Sequence, residues 1–206
     1  MFITIEGCEG SGKTSAIKEL TKLLKKNHHK FILTREPGGP RISEDIRQII
    51  LDKRNTMMDK RTEALLYAAS RRQHLVETVW PKLKEGYIVI CDRYLDSSLA
   101  YQGGARNIGI DNVLKMNMFA TEGTFPDLTF LLDIDPKIGL ARINKNKQRE
   151  VNRLDLESLN FHNRVRKSFL LLAKRYPKRF VVIDAKKSTE LVCKEIYSTI
   201  KKRLKK

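Results

Sequence analysis

Eight consecutive residues near the start of the chain, Gly7-Cys8-Glu9-Gly10-Ser11-Gly12-Lys13-Thr14, have the spacing G-x-x-x-x-G-K-[ST]. The glycines let the backbone turn so that successive N–H groups point inward at phosphate oxygens. A helix that starts where the loop ends adds its positive end. The lysine, Lys13, would reach the β- and γ-phosphates of a nucleoside triphosphate, and the Thr14 hydroxyl would ligate Mg²⁺. This chemistry needs a strand before the loop and a helix after it. The apolar run Phe2-Ile3-Thr4-Ile5 predicts the strand. Ile17, Leu20, Leu23 and Leu24 share one face of a helix predicted from Lys13 to about Lys26.

A second acidic group belongs at the end of a neighbouring strand. Asp92 follows the apolar run Tyr87-Ile88-Val89-Ile90-Cys91. There it could hold the magnesium shell or simply cap a loop. Arg35 ends another apolar run, Arg47 lies one helix further on, and Arg93 follows Asp92. Guanidinium forks match phosphate oxygens. Taken singly, an arginine of this kind is more often a surface charge. Gathered at strand ends beside a phosphate loop, they suggest an acceptor-phosphate site, since ligands of open α/β sheets bind beyond the carboxyl ends of the strands.

The elements that must position these groups are short apolar strands alternating with helices. Phe31-Ile32-Leu33, Leu128 to Leu132 and Phe180 to Ile183 complete five predicted strands. Such runs imply a parallel sheet covered on both faces, an α/β fold in three layers. Ile46, Ile49 and Ile50 mark one helix. Thr62 to Val79 reads as a long helix closed by Trp80-Pro81, and Asp135 and Ser188 as helix caps. The stretch Asn144 to Asn152 is the one strongly polar insertion, read as a lid within about 142–155 or else as an ordinary solvated loop. At 206 residues the chain suits a single domain, 1–206.

Composition narrows the classes. No apolar run is long enough to cross a bilayer, and MFITIEG carries an acid and does not read as a secretory signal. Cys8, Cys91 and Cys193 are scattered with no zinc-ligand spacing, which fits a reducing cytoplasm. Cys8, inside the phosphate loop, would be oxidisable only with a lowered pKa. His28, His29, His74 and His162 read as surface or helix residues, with His74 one turn from Ser70. A net charge of +17 attracts polyanions, but multiply charged small substrates account for it as well as nucleic acid does, and no specific nucleic-acid partner is expected.

Together these residues resemble the bacterial type of the thymidylate kinase family. The resemblance runs from Glu6-Gly7 through Thr14, over Thr34 to Gly39 and Leu66 to Arg71, to Asp92-Arg93-Tyr94. It continues over Ala100-Tyr101-Gln102-Gly103, Pro126 to Thr129, Leu132-Asp133 and Asn152 to Asp155. It implies a P-loop kinase fold with a five-stranded parallel sheet and a short lid, and phosphorylation of dTMP by ATP and Mg²⁺. It implies that Tyr67 stacks on thymine and that Arg71 bonds a base carbonyl. Ser97, Ser98 and Gln102 surround the base and the acceptor phosphate, Tyr101 lies near the sugar, and Glu9 near the 3′-hydroxyl. Arg35, Arg47 and Arg93 meet the acceptor phosphate. Because the P-loop holds no arginine, the resemblance assigns catalytic charge to the lid, to Arg149 first, with Arg153 and Arg142 as other candidates. It also implies a homodimer packed through Thr62 to Val79 and Asp111 to Phe119. The alternatives are a kinase of another nucleoside monophosphate or of a deoxynucleoside, a nucleotide-dependent protein on DNA, and a scaffold with a relic nucleotide site.

Overall fold

The computed structural model describes residues 1–145 and 153–204. Among them, β1 (Phe2–Glu6), β2 (Phe31–Arg35), β3 (Ile88–Asp92), β4 (Leu128–Asp133) and β5 (Phe180–Asp184) form one sheet. All strands are parallel, in the order β2-β3-β1-β4-β5. Ile3 of the central strand pairs with Ile90 on one side and Leu128 on the other. Each anticipated strand is present and runs on to a polar residue: Glu6, Arg35, Asp92, Asp133 or Asp184. These polar ends lie at the carboxyl edge of the sheet.

Successive strand residues point to opposite faces, so the sheet divides the core in two. Ile3, Ile5, Ile90 and Phe130 pack with Leu20 and Leu24 of α1 (Lys13–Lys26) and with Ile196 and Ile200 near the chain's end. Phe2, Val89, Cys91 and Leu131 pack on the other face with Leu99, Val165, Phe169 and Leu172. The remaining helices are α2 (Arg41–Leu51), α3 (Lys60–His74), α4 (Trp80–Lys84) and α5 (Leu95–Ser98). They continue with α6 (Ile110–Thr121), α7 (Pro136–Lys145), α8 (Leu159–Arg175) and α9 (Thr189–Leu204). The expected caps are present: Asp135 Oδ1 accepts from Lys137 N at 2.8 Å, and Ser188 Oγ from Leu191 N at 3.3 Å. Ser43 on α2 and Ser70 on α3 are buried and each donates to the other's carbonyl, which brings the two helices close.

One reading of the sequence is corrected here, and one helix is added. Trp80-Pro81 does not close the long helix, because α3 passes through a π-helical turn, Leu75–Val79, directly into α4. Pro81 sits in the first turn of α4, where no intrahelical donor is needed. The 17-residue α8 was not anticipated. Its buried positions Phe161, Val165, Phe169 and Leu172 follow helical spacing, but Asn, His and Arg between them dilute the pattern.

Asp96, on the same short helix as Ser97 and Ser98, is fully buried. It receives Arg179 Nη1 and Nη2 at 2.6 and 2.7 Å, and Thr129 Oγ1 at 3.1 Å. Removing one partner of such a pair strands a charge in the interior. Arg179→Ala is therefore expected to destabilise the fold by about 3–5 kcal/mol, read as a lower urea midpoint. An unchanged midpoint would show that Asp96 is satisfied without Arg179.

Candidate active site

The carboxyl ends of β1, β2 and β3 open into one cavity of about 570 Å³. One end is walled by Glu9 to Ser15, the other by Tyr67, Arg71, Ser97, Ser98, Tyr101 and Gln102. Asp92, Arg93, Arg35, Arg47 and Arg142 also line it. Ser15, Glu36, Pro37, Leu51, Tyr94, Ile143, Leu154 and Thr189 line it too, none of them singled out from the sequence as a site residue.

At the phosphate-loop end, Gly10 has φ +69°, and a Cβ there would lie 2.0 Å from the Gly139 carbonyl oxygen on α7. Only glycine allows this close seat between loop and helix. Lys13 Nζ donates to the Gly7 and Cys8 carbonyls at 2.9 and 3.2 Å. Gly7 and Cys8 thus act behind the wall, holding the lysine. Burial and then Arg93 pull the Lys13 pKa down to about 8, against Asp92 and Glu9. Burial and Glu9 push the Cys8 thiol up to about 12, so it stays protonated at neutral pH and is no reactive thiol. Arg142 donates to the Ala185 carbonyl at 3.2 Å and lines the cavity with Thr189.

Asp92 Oδ1 is buried and has no hydrogen-bond partner among the described residues. Thr14 lines the same cavity. A buried carboxylate oxygen held without a donor and a P-loop threonine on the same cavity are oxygen ligands of the kind that a magnesium ion arriving with nucleotide takes beside water and phosphate. The residues present fit the metal.

Arg93 stands between the two ends. Its φ of +68° is left-handed, uncommon for a residue with a side chain. Its Nη2 donates to Glu9 Oε1 at 3.0 Å and its Nη1 to Ser97 Oγ at 3.2 Å. Glu9 also accepts from the Tyr101 hydroxyl at 2.7 and 2.8 Å. Burial alone would push the Glu9 carboxyl up, but Arg93, His162, Lys13 and Tyr101 hold it far below the usual range.

At the far end Arg71 is buried, its Nε donating to Glu36 Oε2 at 2.7 Å and its Nη1 to Ser98 Oγ at 3.1 Å and Asn117 Oδ1 at 2.5 Å. Behind Glu36, His74 bridges Glu36 Oε1, 2.9 Å from Nδ1, and Thr34 Oγ1, 2.6 Å from Nε2. His74 and His162, read as surface or helix residues, lie on α3 and α8 and are buried, each against a buried carboxylate. Ser97 donates to Glu6 Oε2 at 2.6 Å, and burial, with Asp96 nearby, raises the Glu6 pKa to about 7. Gln102 donates to Glu63, Arg47 to the Pro37 carbonyl at 2.8 Å, and Arg35 to Glu44 at 2.6 Å.

The expected lid arginines fare differently. Arg153 does not line the cavity. It is directed to the Ile50 carbonyl and to Glu63, whose buried carboxylate needs a cation. Arg149 lies outside the described residues. Sequence reasoning gave no role to Glu6, Glu36, Glu63, Asn117 or Gly139. An acid at the end of an otherwise apolar strand was a usable signal for Glu6, whereas nothing local marks Glu63.

The comparisons with known proteins accord with this geometry. The family model described as Thymidylate kinase matches residues 5–196. The chain belongs to the thymidylate kinase family. It is 57% identical over 200 residues to a thymidylate kinase of Clostridium novyi (strain NT), covering 97% of this chain and 98% of that one. It is 58% identical over 191 residues to one of Geobacillus sp. (strain WCH70), covering 93% and 91%. The crystal structure of thymidylate kinase from Ehrlichia chaffeensis superposes with a TM-score of 0.76 at 32% identity, over 98% of each chain. As a member of this family the chain is a phosphotransferase that converts dTMP to dTDP with ATP, a step in dTTP synthesis.

The depressed Lys13 pKa generates a prediction. In the free enzyme part of Lys13 is neutral near pH 8, and triphosphate oxygens favour its charged form. Binding of ATP at pH 8 is therefore expected to take up protons, whereas at pH 6.5 Lys13 is already charged and contributes no uptake. Calorimetry in buffers of different ionisation enthalpy measures this. Uptake that persists in Lys13→Met would assign the proton elsewhere.

Proposed function

We propose that the reaction takes place within this single cavity, with ATP along Gly7, Cys8, Glu9, Gly10, Ser11, Gly12, Lys13 and Thr14, and dTMP between Arg93 and Gln102. The observation that supports it is the continuity of the cavity from the phosphate loop to Tyr67, Arg71 and Gln102. The γ-phosphoryl group then passes directly to the acceptor phosphate, with no phosphoenzyme. Tyr67 stacks on the base, and Arg71, with Ser98 and Gln102, reads its polar edge. Tyr101 and Glu9 face the sugar, and Arg93, Arg47 and Arg35 draw the acceptor phosphate.

Thr14 and Asp92 hold Mg²⁺, which supplies charge neutralisation of the phosphates. Lys13 and Arg93 add fixed positive charge where negative charge develops. Arg142 sits at the nucleotide side. Arg149 supplies the remaining cation, since the P-loop contains no arginine. The three cysteines are free and buried, which suits work in a reducing cytoplasm. A homodimer through α3, its π-helical continuation and α6 is part of the proposal. Leu65, Val76, Met118 and Phe119 are exposed there, Phe119 at 91%.

ADP release with dTMP, dUMP, dCMP, UMP, CMP, AMP, GMP, dGMP and thymidine as acceptors tests the base pocket. A strong preference for dTMP is expected, and preference for a purine would overturn the roles of Tyr67, Arg71 and Gln102. In the same assay Lys13→Ala is expected to abolish transfer in a folded protein. Arg149→Ala is expected to lower kcat by about 10³-fold or more while dTMP affinity changes little. A change confined to KM for dTMP would remove Arg149 from the chemical step. For the dimer, Phe119→Glu is expected to shift the sedimentation coefficient from dimer to monomer. An unshifted dimer would move the interface elsewhere.

A further inference from the structure

Glu63 does not line the cavity, yet it holds a residue that does. It is 1% exposed, on α3 one turn before Tyr67. Its Oε1 accepts from Gln102 Nε2 at 2.8 Å and from Arg106 Nε at 3.3 Å. Its Oε2 accepts from Arg106 Nη2 at 3.3 Å and from Arg153. Burial pushes the Glu63 carboxyl up, but Gln102, Arg106 and Arg153 outweigh it and hold the group below its usual range. It is therefore an anion at neutral pH, and an ionised carboxylate only accepts hydrogen bonds.

This decides which way the Gln102 amide faces. Only its nitrogen can turn to Glu63, so its oxygen is turned away, as an acceptor. A pyrimidine with an imide N–H, thymine or uracil, presents a donor at that ring position. Cytosine presents a lone pair there, and two acceptors face to face are left unpaired in a buried site.

We infer that Glu63 is a positioning residue for base selection: it fixes the Gln102 amide with the oxygen toward the base and so selects an imide N–H over the cytosine lone pair. This rests on the placement of the base against Gln102 proposed above. With Glu63 replaced by a group that can also donate, the Gln102 amide can turn over and offer its N–H₂ to cytosine.

The test is the ratio of kcat/KM for dTMP to that for dCMP in wild type, Glu63→Gln, Glu63→Asp and Gln102→Leu, with folding checked by circular dichroism. Glu63→Gln is nearly isosteric and allows both amide orientations, so the ratio is expected to fall at least about tenfold. A purely structural role would lower both rates together and keep the ratio. Glu63→Asp keeps the charge facing Arg106 and Arg153 but draws the oxygen back from Gln102. A fall in its ratio is also expected, and it stands in if Glu63→Gln does not fold. An unchanged ratio in a folded Glu63 variant, with a collapsed ratio in Gln102→Leu, overturns the positioning role alone. An unchanged ratio in Gln102→Leu overturns the placement of the base, and this inference with it.

Discussion

A carboxylate taken out of water has to be met by donors or cations, and that requirement organises this site. Glu6, Glu9, Glu36 and Glu63 are all buried. Glu6 holds Ser97 and the Tyr94 backbone, and Glu9 holds Arg93 and Tyr101. Glu36 holds Arg71, and Glu63 holds Gln102. Each carboxylate takes part of a side chain's hydrogen-bonding capacity and so determines what remains for a ligand. The polar groups around Arg71 and Gln102 are held by these partners within the protein itself, and such preorganisation lowers the entropy cost of binding a ligand.

The sheet explains why these groups meet. With β1 between β3 and β4, the phosphate loop after Glu6 leaves the sheet beside Asp92 and Arg93. Parallel strands send all their carboxyl ends to one edge, so residues about eighty positions apart in the chain become neighbours. The closeness of Gly10 to Gly139 seats the loop on α7. Several cations, Lys13, Arg93, Arg71 and Arg47, share one small cavity, and burial first and then repulsion from Arg93 lower the Lys13 pKa. A multiply charged anion relieves that repulsion, so the electrostatics favour nucleotides over neutral ligands.

Motifs with fixed local spacing were legible. Gly7 to Thr14, the apolar strands and the Asp92-Arg93 step each have their pattern within a few residues, and the loop, the strands and the step lie where that pattern puts them. Less legible were features whose cause is distant. The π-helical turn before Pro81 depends on how α3 packs, α8 shows only a weak apolar stripe, and His74 and His162 carry no local mark of burial. Arg153 lies beside the polar insertion in sequence, but a carboxylate ninety residues away, Glu63, directs it to α3.

Residue order alone was enough for the parallel α/β fold and the phosphate-loop motif, because these depend on short-range periodicity and on glycine, lysine and hydroxyl residues at close spacing, while the family was legible only as a resemblance carried by motifs spread along the chain. Tertiary structure alone decided which way each polar side chain faces. Which Arg71 N–H groups are taken up inside the protein, and which end of the Gln102 amide is held, depends on partners as distant in the chain as Glu36 and Glu63. Hydrogen-bond satisfaction in a buried site is a property of the packed molecule, and no stretch of sequence contains both halves of those bonds.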